Sequence, residues 1–249
     1  MGGDLIVITE NGVLPLSSAL QSAAIDYRAA VTDKIKNAFT DASRLYNANF
    51  GWEAILYPAH SALLVNIPFA EDGEHEQYVM NTITGAWCRF TEWDAETFAI
   101  FNGELYFGNG TSTYKAWTAA FMDGTNNIEA YGKTAFTDLG VGGLKDFKMF
   151  RPILSVNGSL SFLADLDVDY QDQPIIGTAT YTVISGAVWD TSNWDQAYWA
   201  AGLEVVKEWT SPAEWPGIVV AGKIKVATNS LQIQWFGNDY FYERGSGIG

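Results

Sequence analysis

The chain has 249 residues, enough for one large or two smaller domains and for a substantial buried core. Hydrophobic residues make up 48% and aromatic ones 14%, against only 17% charged, a balance that excludes a disordered chain and favours sheets over solvated helices. The formal net charge of −15 excludes a basic groove that grips nucleic acid, and no apolar run approaches the roughly 20 residues that span a bilayer.

Taken in order, Leu5–Thr9 and Val13–Leu16 flank Glu10-Asn11-Gly12 and predict a hairpin. A chain opening in mid-sheet predicts partner strands from preceding sequence or from another chain. The first residues lack a basic region followed by an apolar run, so no signal peptide is expected. Ser17–Val31 is rich in Ala and Ser and carries no clear periodicity. From Asp33 to Tyr46, Ile35, Ala38, Phe39, Ala42, Leu45 and Tyr46 fall on one helical stripe, with Thr32 or Asp33 as N-cap. This predicts an amphipathic helix packed across a sheet.

Strand signals follow at Ala54–Tyr57 and Ala62–Pro68, then an acidic loop over Glu71–Glu76. The stretch from Gln77 to Trp117 reads as a train of short strands: Gln77–Asn81, Ala86–Phe90, Phe98–Phe101, Glu104–Gly108 and Thr113–Trp117. Thr84-Gly85, Asn102-Gly103 and Asn109-Gly110 separate them, and Asn-Gly tolerates the positive φ of a tight hairpin. Such spacing is that of a propeller blade or a sandwich. Cys88 falls within one of these strands; as the sole cysteine it forms no internal disulfide and reads as a small core residue. Asp123-Gly124 and Asn126-Asn127 form a turn-rich joint, so the domains are expected at residues 1–125 and 126–249.

The second half offers strands at Ile128–Phe136, Phe147–Leu154, Leu160–Tyr170, Thr178–Ser185, Leu203–Trp209, Ile218–Thr228, Leu231–Trp235 and Tyr240–Glu243, the last entered by a turn at Asn238-Asp239. Leu160–Tyr170 alternates cleanly, with Leu160, Phe162, Ala164, Leu166, Val168 and Tyr170 on one face. Several such strands with Gly-rich turns predict a β-sandwich or jelly roll.

Two groups of residues invite a functional reading. Asp165, Asp167 and Asp169, with Asp172 nearby, suggest a calcium site or an acidic solvent or lumen face. Alternate side chains on a strand lie about 7 Å apart, too far for one ion to bind all three, so an acidic face that discourages edge pairing is expected. Trp189, Trp194 and Trp199 recur at five-residue intervals and suggest a subunit interface or a glycan platform. Catalysis has no foothold. His60 and His75 are the only histidines, and no zinc cluster, G-x-S-x-G, H-E-x-x-H or P-loop is present, so no catalytic residue, metal or cofactor is assigned. The acidic residues leave open a carboxylate pair of glycosidase type. Asn109 and Asn157 open N-x-[ST] triplets that read as hairpin turns.

The order NANFGWEAILYP, LLVNIP, QYVMNTITGAWCRF, FNGELYFGNG, IEAYGKTAFTDLG and KDFKMFRPIL, followed by WDTSNWDQAYW and YFYERG, resembles the tail nozzle (tail hub) proteins of short-tailed bacteriophages. The likeness covers nearly the whole chain through loose aromatic and turn patterns. It implies a β-propeller-like part followed by a β-sandwich part, in a virion protein made in the bacterial cytoplasm. It also implies a homo-oligomer, a hexameric ring beneath portal and adaptor that contacts adaptor, fibre or needle proteins. Double-stranded DNA would pass through it without tight binding, which suits an acidic chain because phosphate contacts add drag. Family members are longer, with more propeller strands before the Leu5–Leu16 hairpin, so the resemblance implies a C-terminal portion or a protein whose missing blades come from elsewhere. The expected fold is therefore mainly all-β, with partial β-propeller-like sheets and one amphipathic helix near residues 33–46, then a β-sandwich or jelly-roll-like domain. The expected function is a non-enzymatic nozzle subunit without membrane contact; the alternative is a carbohydrate-binding or host-adhesion sandwich module.

Overall fold

A computed structural model describes residues 5–10, 12–21, 30–70, 73–118, 122–175, 178–181, 204–206, 209–210, 215–229 and 231–245. The protein is mainly β, built from several antiparallel sheets, and divides into two compact units, Met1–Trp117 and Thr118–Gly249.

In the first unit, the hairpin of β1 (Ile6–Thr9) and β2 (Gly12–Pro15) leads directly into a short helix, α1 (Leu16–Gln21). A 3-10 turn over Asp33–Ile35 precedes α2 (Lys36–Tyr46). Neither Thr32 nor Asp33 caps this helix through its side chain. Thr32 lies buried, and its hydroxyl instead accepts the Val13 backbone N–H at 3.1 Å, satisfying β2 in place of the helix end. The buried face of α2 carries Phe39, Ala42 and Ser43, with Ile35 and Tyr46 half-buried beside them. Leu45, at the margin of the expected stripe, is 63% exposed.

A four-stranded up-and-down meander follows, of β3 (Glu53–Tyr57), β4 (Ala62–Pro68), β5 (His75–Asn81) and β6 (Trp87–Phe90). A three-stranded one comes next: β7 (Thr97–Phe101), β8 (Glu104–Gly108) and β9 (Thr113–Lys115). Consecutive meanders of this kind are the repeating piece of propellers. Strand β4 is buried on both faces. Leu63, Val65 and Ile67 pack with Phe39 and Ala42 of α2, while Ala62 and Leu64 meet Phe98 and Leu105 of the three-stranded sheet. Each fully buried Leu or Ile there contributes about 1.5–3 kcal/mol, which makes β4 the spine of the unit. Cys88 is not a core residue: among the described residues β6 pairs with β5 alone, and at this edge Cys88 is exposed with its thiol 3.6 Å from the Val79 carbonyl.

The second unit is a two-layer sandwich. One sheet orders β10 (Ile128–Lys133), β16 (Val220–Thr228), β12 (Leu160–Val168) and β13 (Thr178–Tyr181). The other pairs β11 (Lys145–Val156) with β14 (Glu204–Val206) and β15 (Trp215–Gly217) on one side and with β17 (Ile233–Arg244) on the other. One core joins the layers: Phe162, Ala164, Leu166, Ile224 and Val226 from the first sheet, Phe147, Phe150, Leu154 and Val156 from the second. Gly222 lets them close, because a Cβ there would lie 2.7 Å from the Phe150 ring.

The long pair β11–β17 carries two register shifts, between Phe147 and Met149 and between Ile153 and Leu154. Each adds one residue and reverses the alternation, so Phe147 and Phe150 both face inward, as do Trp235 and Tyr240 on β17. No turn occurs at Asn238-Asp239. Both residues stay in β17, opposite Pro152 and Arg151, and the Arg151 guanidinium donates to the Asp239 carboxylate, its Nε at 2.9 Å. Non-local pairing here overrides a local turn signal.

Candidate functional site

Strands β10, β16 and β12 turn their odd-numbered residues away from the sandwich core. In register across them stand Lys133, Lys223 and Asp165, with Asp167 one step further along β12. Two lysines directly opposite each other repel unless anions sit beside them. Asp167 supplies that anion. Its carboxylate lies 2.5 Å from Lys133 Nζ through one oxygen and is ion-paired with Lys223 through the other. Asp167 and Lys223 are both fully buried. The segment after β12 folds back over them: the Gln173 N–H donates to Asp167 at 3.0 Å, and the Gln173 carbonyl accepts from Lys223 Nζ. Asp172 reaches Lys133 at 3.2 Å from the surface side.

Burial alone would raise the Asp167 pKa. The donors on Lys133 and Lys223 and the Gln173 N–H outweigh it and hold the carboxyl at about 2. The same contact with Asp167 pushes the Lys133 ammonium up, against the opposing effect of its own partial burial. Both groups are thus locked in their charged forms near neutral pH, which suits a structural clasp and not proton transfer.

The expected acidic face therefore does not exist as such. Asp165 and Asp167 are buried, because the Gln171–Gln173 segment and two lysine side chains cover that end of β12. Leucine-aspartate alternation reports which face a residue takes, but not whether that face is covered. Asp169 turns to the next strand and accepts the Ile218 and Val219 N–H groups at 2.8 and 3.1 Å. Asp172 projects, with 79% of its side chain exposed, and Asp169 is exposed as well beside the backbone it caps. Ammonium groups occupy the positions a divalent cation would take beside Asp167, and among the described residues no group of His, Cys, Asp or Glu is arranged to hold a metal. Trp189, Trp194 and Trp199 lie outside the described residues.

In the first unit a second polar cluster is buried between the sheets. Asn66 and Gln77 are cross-strand partners, both fully buried. Asn66 Nδ2 donates to the Gly51 and Ala95 carbonyls at 2.8 and 2.7 Å. Gln77 Nε2 donates to Asn66 Oδ1 at 2.9 Å and to the Trp93 carbonyl at 2.8 Å. Glu53, opposite Asn66 on β3, accepts the Phe98 N–H at 2.9 Å. This row bolts the four-stranded sheet to the segment that enters β7. No family model and no curated protein sequence matches the chain.

The histidines serve different surroundings. His60 stacks on Tyr57 and Trp117, with ring centroids 5.3 Å apart in each case. His75 is buried, its Nδ1 bonded to the Gly73 carbonyl at 2.7 Å, so that nitrogen carries the proton. Each unit has a cleft: in the first, one of about 270 Å³ beside His60, Cys88 and Trp117; in the second, an apolar one of about 320 Å³ between β10, β16 and β17, walled by Ile224, Val226 and Trp235. Neither is lined by a carboxylate or an ammonium group. No helix among the described residues is long and apolar enough to cross a membrane.

Sequence reasoning missed Lys133, Lys223 and Gln173. The available signal was Lys223 itself, a lysine set within the apolar run IVVAGKIKVA at a strand position where only a paired charge is tolerated.

Proposed function

We propose that the protein is a non-enzymatic structural subunit of a bacteriophage tail nozzle, which assembles into a ring-shaped conduit for DNA ejection. The observation that carries this reading is the order of its parts: consecutive β-meanders first, then a two-layer sandwich, as the sequence resemblance implies. The long strand β17 supports it. Among the described residues β17 pairs with β11 alone and leaves Phe236 and Phe241 66% and 51% exposed, an aromatic sheet edge of the kind that joins subunits. The net charge of −15 suits passage of DNA over retention, although Asp165 and Asp167 are spent internally and contribute nothing to a lumen. The hexameric order and the adaptor, fibre or needle partners belong to the same proposal.

Native mass measurement and negative-stain imaging of the purified protein test it. A closed ring of identical copies is expected, together with presence of the chain in mature particles. A protein that stays monomeric at high concentration and is missing from particles overturns the reading.

A further inference from the structure

Strand β12 ends in a turn with unusual backbone. Asp169 and Tyr170 adopt φ of 49° and 62°, and the Gln171 N–H closes on the Val168 carbonyl at 3.0 Å. Two consecutive left-handed residues form the conformation that Asn-Gly fills most easily, and a bulky side chain in the second place is strained. The strain at Asp169 has a visible return, since its carboxylate caps two backbone N–H groups. The return at Tyr170 is smaller: its ring touches Phe136 on one side, and the residue stays 74% exposed. Strain retained at an exposed residue points outward, to something the side chain meets in solvent.

The surroundings of that ring say what it meets. Tyr170 lies against Phe136 with centroids 4.5 Å apart, and Lys133 Nζ sits 5.1 Å over the Phe136 ring. Exposed Tyr131 stands two residues before Lys133 on the same face of β10, and exposed Asp172 lies just beyond the turn. The two accessible ammonium groups on this face are already paired, Lys133 with Asp167 and Asp172 and Lys225, opposite Tyr131, with Glu129 at 2.8 Å, so they offer little to a phosphate or carboxylate. The patch instead combines flat, rigid tyrosine faces with a carboxylate that accepts hydroxyl donors. Aromatic faces take up the C–H side of a pyranose, and polar neighbours take up its hydroxyls.

We propose that Tyr170, held by the Val168–Gln171 turn against Phe136 and beside Asp172, is the stacking platform of a binding site for neutral oligosaccharides. The site stands independently of the nozzle reading and of the tryptophan run.

The test titrates the full chain with maltoheptaose, cellohexaose and chitohexaose by calorimetry, and follows thermal unfolding of each variant. At least one sugar is expected to bind the natural chain. Tyr170→Phe, which keeps the ring, retains binding, whereas Tyr170→Gly weakens it by at least about tenfold. Because glycine accepts a left-handed φ without strain, Tyr170→Gly is expected to unfold at the same or a higher temperature. Asp172→Asn weakens binding without changing the melting temperature. Absence of binding by all three sugars at millimolar concentration overturns the proposal. So does unchanged affinity in Tyr170→Gly. A clear fall in its melting temperature overturns it too, since Tyr170 would then be serving the fold. None of these outcomes bears on whether rings form.

Discussion

Each unit buries a polar row where one sheet meets its cover, and the two units solve the same problem with different chemistry. In the first, Asn66 and Gln77 are neutral amides whose donors are aimed at backbone carbonyls. In the second, Asp167 is an ion held by Lys133, Lys223 and the Gln173 N–H. Amides cost little to desolvate and do not titrate in the range where proteins fold. Ions cost much more, and they are tolerated only while every partner is present. The first arrangement fixes which sheet docks on which; the second also makes the fold of its unit depend on pH.

The sharpest way to break that contrast is to remove one ion. Asp167→Ala leaves Lys223 buried beside Lys133 without the carboxylate that joined them, and is expected to cost about 3–5 kcal/mol in denaturant unfolding. The double variant Asp167→Leu with Lys223→Met removes both buried charges and is expected to recover most of that loss. If the single and double variants are equally destabilised, the pairing is not what holds the segment down.

Asn66→Ala should cost less, about 2–3 kcal/mol, because it strips donors from the Gly51 and Ala95 carbonyls and an acceptor from Gln77 without stranding a charge. Hydrogen exchange should show the loss in β4, β5 and the segment entering β7, with the sandwich unit unaffected. A uniform loss of protection across both units would show the row to be less local than its contacts suggest.

The smallest effect is the pH response. Asp167 has its carboxyl depressed from 3.8 to about 2, so its contribution is complete above the unfolded value and disappears as pH falls from about 4 to 2. The loss expected from this group is about 2 kcal/mol, confined to the second unit. Lys133 is shifted the other way, upward, so its contribution is complete below the ordinary lysine value of 10.5 and is lost as pH rises beyond it. Protection factors in β10, β12 and β16, corrected for the intrinsic slowing of exchange in acid, are expected to fall between pH 5 and pH 2.5 in the natural chain and to fall less in Asp167→Asn, which starts weakened. An identical response in the variant would remove Asp167 as the sensor.

The chain itself determined what depends on near neighbours. The two-residue alternation of β12, the i, i+4, i+7 placing of Ile35, Phe39 and Ala42, and the Asn102-Gly103 turn between β7 and β8 were all legible, because sterics and periodicity act over a few residues. Tertiary structure decided whatever depends on a partner far along the chain. Pairing with β11 drew Asn238 and Asp239 into a strand, and Val13 took the Thr32 hydroxyl from the helix end. Lysines from β10 and β16, with the Gln173 backbone, turned an apparently solvent-facing aspartate into a buried ion. The physical reason is common to all three. A polar group's state is set by the donors and acceptors that reach it, and those arrive from strands whose pairing no short window of sequence specifies.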